Sequence, residues 1–101
     1  MLKMVCAKAD ITPEQPVFLH GYAYRNRLSS EVEDPVEVGV IALEQDGATC
    51  LLLTADSLGI EFPDVVKICR CIAAETGIGF PNIMISCSHT HFAPNFNNFT
   101  I

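Results

Sequence analysis

The sequence has no apolar run long enough to cross a bilayer, which excludes a membrane-spanning helix within its 101 residues. Its amino end, Met-Leu-Lys-Met-Val-Cys-Ala-Lys-Ala-Asp, lacks the sustained apolar core of a signal peptide. Basic residues are few and scattered: 6 Lys and Arg stand against 12 Asp and Glu, a net charge of -6. That balance argues against nucleic acid or an anionic membrane surface as partner, since both require a basic patch. A phosphate-binding loop is missing too, because Gly77-Ile78-Gly79 follows a helical stretch instead of opening one. Ser86 and Ser88 have neither a glycine-rich elbow nor a base with its orienting partner, which excludes a serine-hydrolase triad.

An even set of cysteines is also lacking. The five, Cys6, Cys50, Cys69, Cys71 and Cys87, fall mostly in apolar runs, where a free thiol behaves as a small hydrophobe. No disulfide framework is expected, and the compartment reads as reducing and cytoplasmic. Cys69 and Cys71 lie two apart in a helical pattern and so face different directions, which disfavours a zinc site between them.

What is present is a globular composition, 50% hydrophobic, in a length that suits one small domain covering 1–101. Residues 4–11 alternate, with Val5, Ala7, Ala9 and Ile11 on one face, which predicts a half-buried strand ended by Thr12-Pro13. A polar loop holding His20, Tyr22, Arg25 and Arg27 runs on to Asp34-Pro35. Residues 36–44 and 49–55 are β-branched or apolar runs separated by Asp46-Gly47, a strong hairpin signal. The second run is apolar enough to be a central strand.

Residues 63–76 carry an apolar stripe at helical spacing: Val65, Ile68, Cys69, Ile72 and Ala73. Pro63 suits the first turn and Gly77 a left-handed cap. A last apolar run, 82–87, reads as a strand buried on both faces. The fold class is therefore α/β: a mixed sheet with one antiparallel hairpin and one strand-helix-strand crossover. Right-handed crossovers join parallel strands, so Asp56 and His89 are expected at the same sheet edge.

The chemistry concentrates just past that last strand, in Ser88-His89-Thr90-His91. Residues two apart in an extended segment point the same way, so His89 and His91 are placed to aim at one point, as a metal ion requires. Open α/β sheets bind ligands at the carboxyl ends of their strands. The plainer reading is two solvent-exposed or locally satisfied imidazoles. Asp56 has two readings, a group orienting a histidine or ligating the metal and a turn cap. Tyr22 and Arg25 either line a substrate pocket or belong to a surface loop.

Five pieces taken in order resemble a known family: Asp10-Ile11-Thr12-Pro13, Gly21-Tyr22-Ala23 with Arg25, Asp34-Pro35, Thr54-Ala55-Asp56, and Asn82-Ile-Met-Ile-Ser followed by Ser88-His89-Thr90-His91 and Pro94. The set is similar to the amino-terminal part of the neutral/alkaline non-lysosomal ceramidases, zinc amidases that hydrolyse the N-acyl bond of ceramide. The resemblance implies that His89 is a zinc ligand. It implies that His91 is catalytic, standing beside the metal and contacting the substrate or the oxyanion.

The chain departs from the family at Phe92-Ala93, where members usually have Ser-Gly, and at Glu33, where they often have His. In the family the further zinc ligands, a His, a Glu and a Tyr, lie much later in the chain. The expectation is thus an incomplete portion of a larger zinc amidase domain acting on an N-acyl lipid or related amide. Alone it would bind zinc weakly and hydrolyse little or nothing. The alternative is a catalytically silent α/β module working in self-assembly or partner binding. A core face left open predicts a homo-oligomer, and residues 92–101 are expected to be poorly tied down.

Overall fold

The structure, a computed structural model, describes residues 1–15, 17, 29, 32 and 34–94. Its elements in order are β1 (Lys3–Asp10), β2 (Glu37–Gln45), β3 (Ala48–Ala55), α1 (Phe62–Thr76), a short 3-10 turn (Phe80–Asn82) and β4 (Ile83–Cys87). The four strands form one sheet in the order β1-β2-β3-β4. The first two pairings are antiparallel and the last is parallel, with Ala55 opposite Cys87. This is the mixed sheet expected from the hairpin and crossover signals, and β3 is central as expected.

Local chemistry explains the boundaries. Asp46 and Gly47 both take positive φ, 52° and 81°, as the two-residue turn of a tight hairpin requires. Pro63 lies in the first turn of α1, where its missing N–H leaves nothing unpaired. Gly77, at φ 78°, donates its N–H to the Ala73 carbonyl and closes the helix. The predicted stripe is the packed one. Cys69 is buried and its stripe neighbours are half-buried, whereas Cys71 is exposed.

The helix stripe and one sheet face carry buried and half-buried apolar residues. Leu51, Leu53 and Ala55 stand opposite Ile83, Ile85 and Cys87, and all six are buried or half-buried. Burial raises the pKa of the Cys87 thiol. Two expectations are corrected. β4 is an edge strand that alternates between half-buried and exposed residues, with Met84 64% exposed, and is not covered on both faces. β1 is exposed along its whole length, so its alternation does not mark a buried face. The same physical reason serves both. Among the described residues the one α-helix connects β3 to β4, which leaves at least one face of β4 without a covering helix, while β1 lies at the opposite edge of the sheet.

The Asp-Ile-Thr-Pro motif acts as a clasp. The Thr12 N–H and hydroxyl both donate to Asp10 Oδ1, at 2.8 and 2.5 Å. The Thr12 hydroxyl oxygen accepts the Val36 N–H at 2.8 Å, and the Ile11 N–H donates to the Val36 carbonyl at 2.7 Å. Asp10 thus caps the turn that ends β1, and the clasp joins that turn to the entry into β2.

These bonds, the Thr12 hydroxyl first, hold the Asp10 carboxyl below its ordinary value of 3.8. Because the folded value is the lower one, the clasp's contribution to stability is full above that ordinary value. It is lost as the pH falls through the folded value. In Thr12→Val, an NMR titration of the Asp10 carboxyl should move up towards 3.8.

A candidate histidine site at the β3 and β4 ends

The parallel pairing brings two strand ends to one edge, and hydrogen bonds lock them there. The Ala55 carbonyl accepts N–H groups from both Ser57 and Ser88, each at 3.0 Å. One residue further on, the His89 N–H donates to the Ser57 carbonyl at 2.8 Å. To make these contacts His89 takes φ 64°, in the left-handed region that most side chains avoid. The backbone therefore does not continue as an extended strand through the His-Thr-His segment. The pairing of the two imidazoles rests on this bend.

The rings do come together. Their centroids are 5.1 Å apart, with planes at 90° in an edge-to-face arrangement. His89 Nδ1 lies 2.8 Å from the Leu58 carbonyl oxygen. A carbonyl oxygen only accepts, so Nδ1 carries the proton. Nε2 then keeps its lone pair, the form in which a neutral imidazole binds a metal. His89 is exposed and His91 half-buried.

The other predicted site residues fall into two groups. Asp56 emerges at the same edge, as expected. It mimics one more rung of the sheet: its N–H donates to the Glu37 carbonyl, and its Oδ2 accepts the Glu37 N–H, each at 3.0 Å. Those bonds turn at least one carboxylate oxygen towards β2. Tyr22 and Arg25, with His20, lie outside the described residues. Among the described residues no three His, Cys, Asp or Glu side chains gather as a metal shell.

The expectation of a loose tail needs correcting at its start. Phe92 is 70% exposed, but Ala93 is 1% exposed and Pro94 is buried in an isolated bridge. Residues 95–101 lie outside the described residues.

Sequence reasoning missed Ser57-Leu58-Gly59, the turn whose carbonyls hold His89. Its only sequence signal was a small-residue turn directly after a central strand.

No family model matches the sequence, and no curated protein matches it. Solved structures do. The neutral ceramidase from Pseudomonas aeruginosa matches at TM-score 0.83 with 22% identity, over 93% of this chain and 16% of that chain. A ceramidase complexed with C2 matches at TM-score 0.82 with 21% identity, over 93% of this chain and 15% of that one. The chain thus shares the fold of a small part of a much longer protein. At this level of identity the likeness shows the fold.

The bend at His89 makes a stability prediction. Asn tolerates left-handed backbone and its amide can still donate to Leu58, so His89→Asn should change unfolding free energy little. A β-branched residue tolerates that backbone poorly, so His89→Val should lose about 1–2 kcal/mol. Urea denaturation of the two variants checks the contrast.

Proposed function

We propose that the chain is the histidine-bearing portion of a zinc-dependent amide hydrolase of the neutral ceramidase kind. In this reading His89 is a metal ligand and His91 acts beside the metal on an N-acyl lipid or a related amide. The observation that carries the reading is the His89 Nδ1–H bond to Leu58, which leaves Nε2 as a lone-pair donor beside a second imidazole. The structural likeness to ceramidases supports the choice of chemistry.

The fit to zinc is that of one ligand. A catalytic zinc takes about three protein ligands with a water in the remaining position. The described residues supply His89 in the right tautomer but not a full set. Zinc, where bound, would acidify a water to a pKa of about 7 and polarise the amide carbonyl.

The chain's own residues would do the rest. The Ser57 and Leu58 carbonyls hold His89 still, so that its lone pair is aimed before any ligand arrives. His91, half-buried at the same edge, would donate a ring N–H to oxygen as negative charge develops on it. Asp56 would stiffen the strand end from which both histidines leave, through its two bonds to Glu37. Tyr22 and Arg25 remain candidates for the substrate pocket, and the cytoplasm remains the proposed compartment.

A second reading, a silent module in self-assembly or partner binding, draws on one observation. The outer sheet face presents Met4, Cys6, Ile41, Leu43, Cys50, Leu52 and Met84 in register across all four strands. Met4 and Met84 are each 64% exposed. Sedimentation over a concentration series should show the homo-oligomer that such a face favours.

Zinc titration of the purified chain, followed calorimetrically, separates the readings. Wild type should bind zinc weakly and His89→Asn not at all, although both are folded. Incubation with an N-acylsphingosine should release little or no fatty acid from this chain alone. Equal zinc binding by wild type and His89→Asn would rule out His89 as the ligand.

A further inference from the structure

Ser57 is the one fully buried polar residue among those described, at 0% exposure. All three of its polar groups are committed. Its N–H donates to the Ala55 carbonyl at 3.0 Å. Its carbonyl accepts the His89 N–H at 2.8 Å. Its hydroxyl donates to the Gly59 carbonyl at 3.0 Å. The last bond spans the turn. It ties residue 57 to residue 59 and so fixes the direction of the carbonyl between them, that of Leu58. That carbonyl is the one that takes the His89 ring proton.

We infer that Ser57 is a positioning residue for His89: through Gly59 it aims the Leu58 carbonyl, and so sets which imidazole nitrogen carries the proton. The two tautomers of a free imidazole are close in energy, so one hydrogen bond decides between them. Ser57 supplies that bond indirectly and also holds the His89 backbone through its own carbonyl. Ring and main chain of the same histidine are thus anchored to two consecutive carbonyls of one turn. A hydroxyl with no solvent exposure is unsuited to attack a substrate, and its geometry suits a fastener. Where outer-shell partners of metal-binding histidines are removed, affinity typically falls about 10- to 100-fold.

The tautomer is readable without metal, so this inference stands apart from the zinc reading on which only its affinity arm rests. In 15N-labelled protein at about pH 8, where imidazoles are neutral, long-range proton–nitrogen spectra identify the protonated nitrogen of each ring. Wild-type His89 should carry its proton on Nδ1. Ser57→Ala should shift part of the population to Nε2–H while the helical circular dichroism stays the same. Ser57→Cys, a weaker donor of similar size, should give a smaller shift and serves as the second variant if alanine unfolds the turn.

Zinc affinity should fall with the tautomer, by about 10- to 100-fold in Ser57→Ala. A wild-type ring protonated on Nε2 would overturn the inference. So would Ser57→Ala and Ser57→Cys proteins whose His89 stays wholly on Nδ1. A tautomer shift in Ser57→Ala, alongside a wild-type chain that takes up no zinc, would uphold the role of Ser57 and remove the metal reading.

Discussion

The Ala55 carbonyl is the joint on which the site depends. It ends the β3 ladder and at the same time receives N–H groups from Ser57 and Ser88, which lie in the two segments leaving β3 and β4. Two chain segments that leave one sheet edge would ordinarily diverge, because nothing in a loop's own sequence holds it to another loop. Sharing an acceptor brings them within reach of a second contact, His89 N–H to the Ser57 carbonyl. That contact in turn brings the imidazole against Leu58. Each bond is worth only about 1 kcal/mol net. Their effect is geometric: three acceptors within one strand-turn segment, on Ala55, Ser57 and Leu58, specify the place, the backbone angle and the ring of one histidine.

Much of this architecture is readable from residue order. Asp46-Gly47 marks the hairpin because both positions need positive φ, and few residue pairs offer it. Pro63 and Gly77 bracket α1, and its stripe identifies the packed face. The crossover rule then makes β3 and β4 parallel, which brings Asp56 and the histidines to one edge. Each of these inferences is local or needs one topological step, and each matches the fold.

Burial was not readable in the same way. The runs at β4 and β1 are apolar or alternating, and those patterns say which residues tolerate cover, not whether another element supplies it. β4 has β3 on one side and a helix over one face, and within the described residues its other edge is open. The bend at His89 was hidden for a different reason. Its cause is a pair of carbonyls about 31 residues earlier in the chain, and no spacing rule within Ser-His-Thr-His reports them. Asp56 was undecided because its partner Glu37 lies on β2, 19 residues away. Long-range hydrogen bonds, not propensities, decide the setting of Asp56 and the bend at His89.

The extended-strand logic that pairs His89 with His91 therefore does not describe the backbone there, although the two rings lie close together. A regular strand would point both side chains one way, about two residue-rises apart along the chain, near 6.6 Å. The observed centroids are 5.1 Å apart and the planes perpendicular, which a regular strand does not produce. The left-handed turn at His89 brings the rings edge to face and lets the first be gripped from behind. A histidine gripped at Nδ1 and met edge-on by a second ring is a directional arrangement. One nitrogen is committed to the Leu58 carbonyl and the other is left with its lone pair, with the two ring centroids 5.1 Å apart. The different settings of the two rings, His89 gripped at Nδ1 and His91 meeting it edge to face, thus go with the bend, and the bend goes with the acceptors at the end of β3.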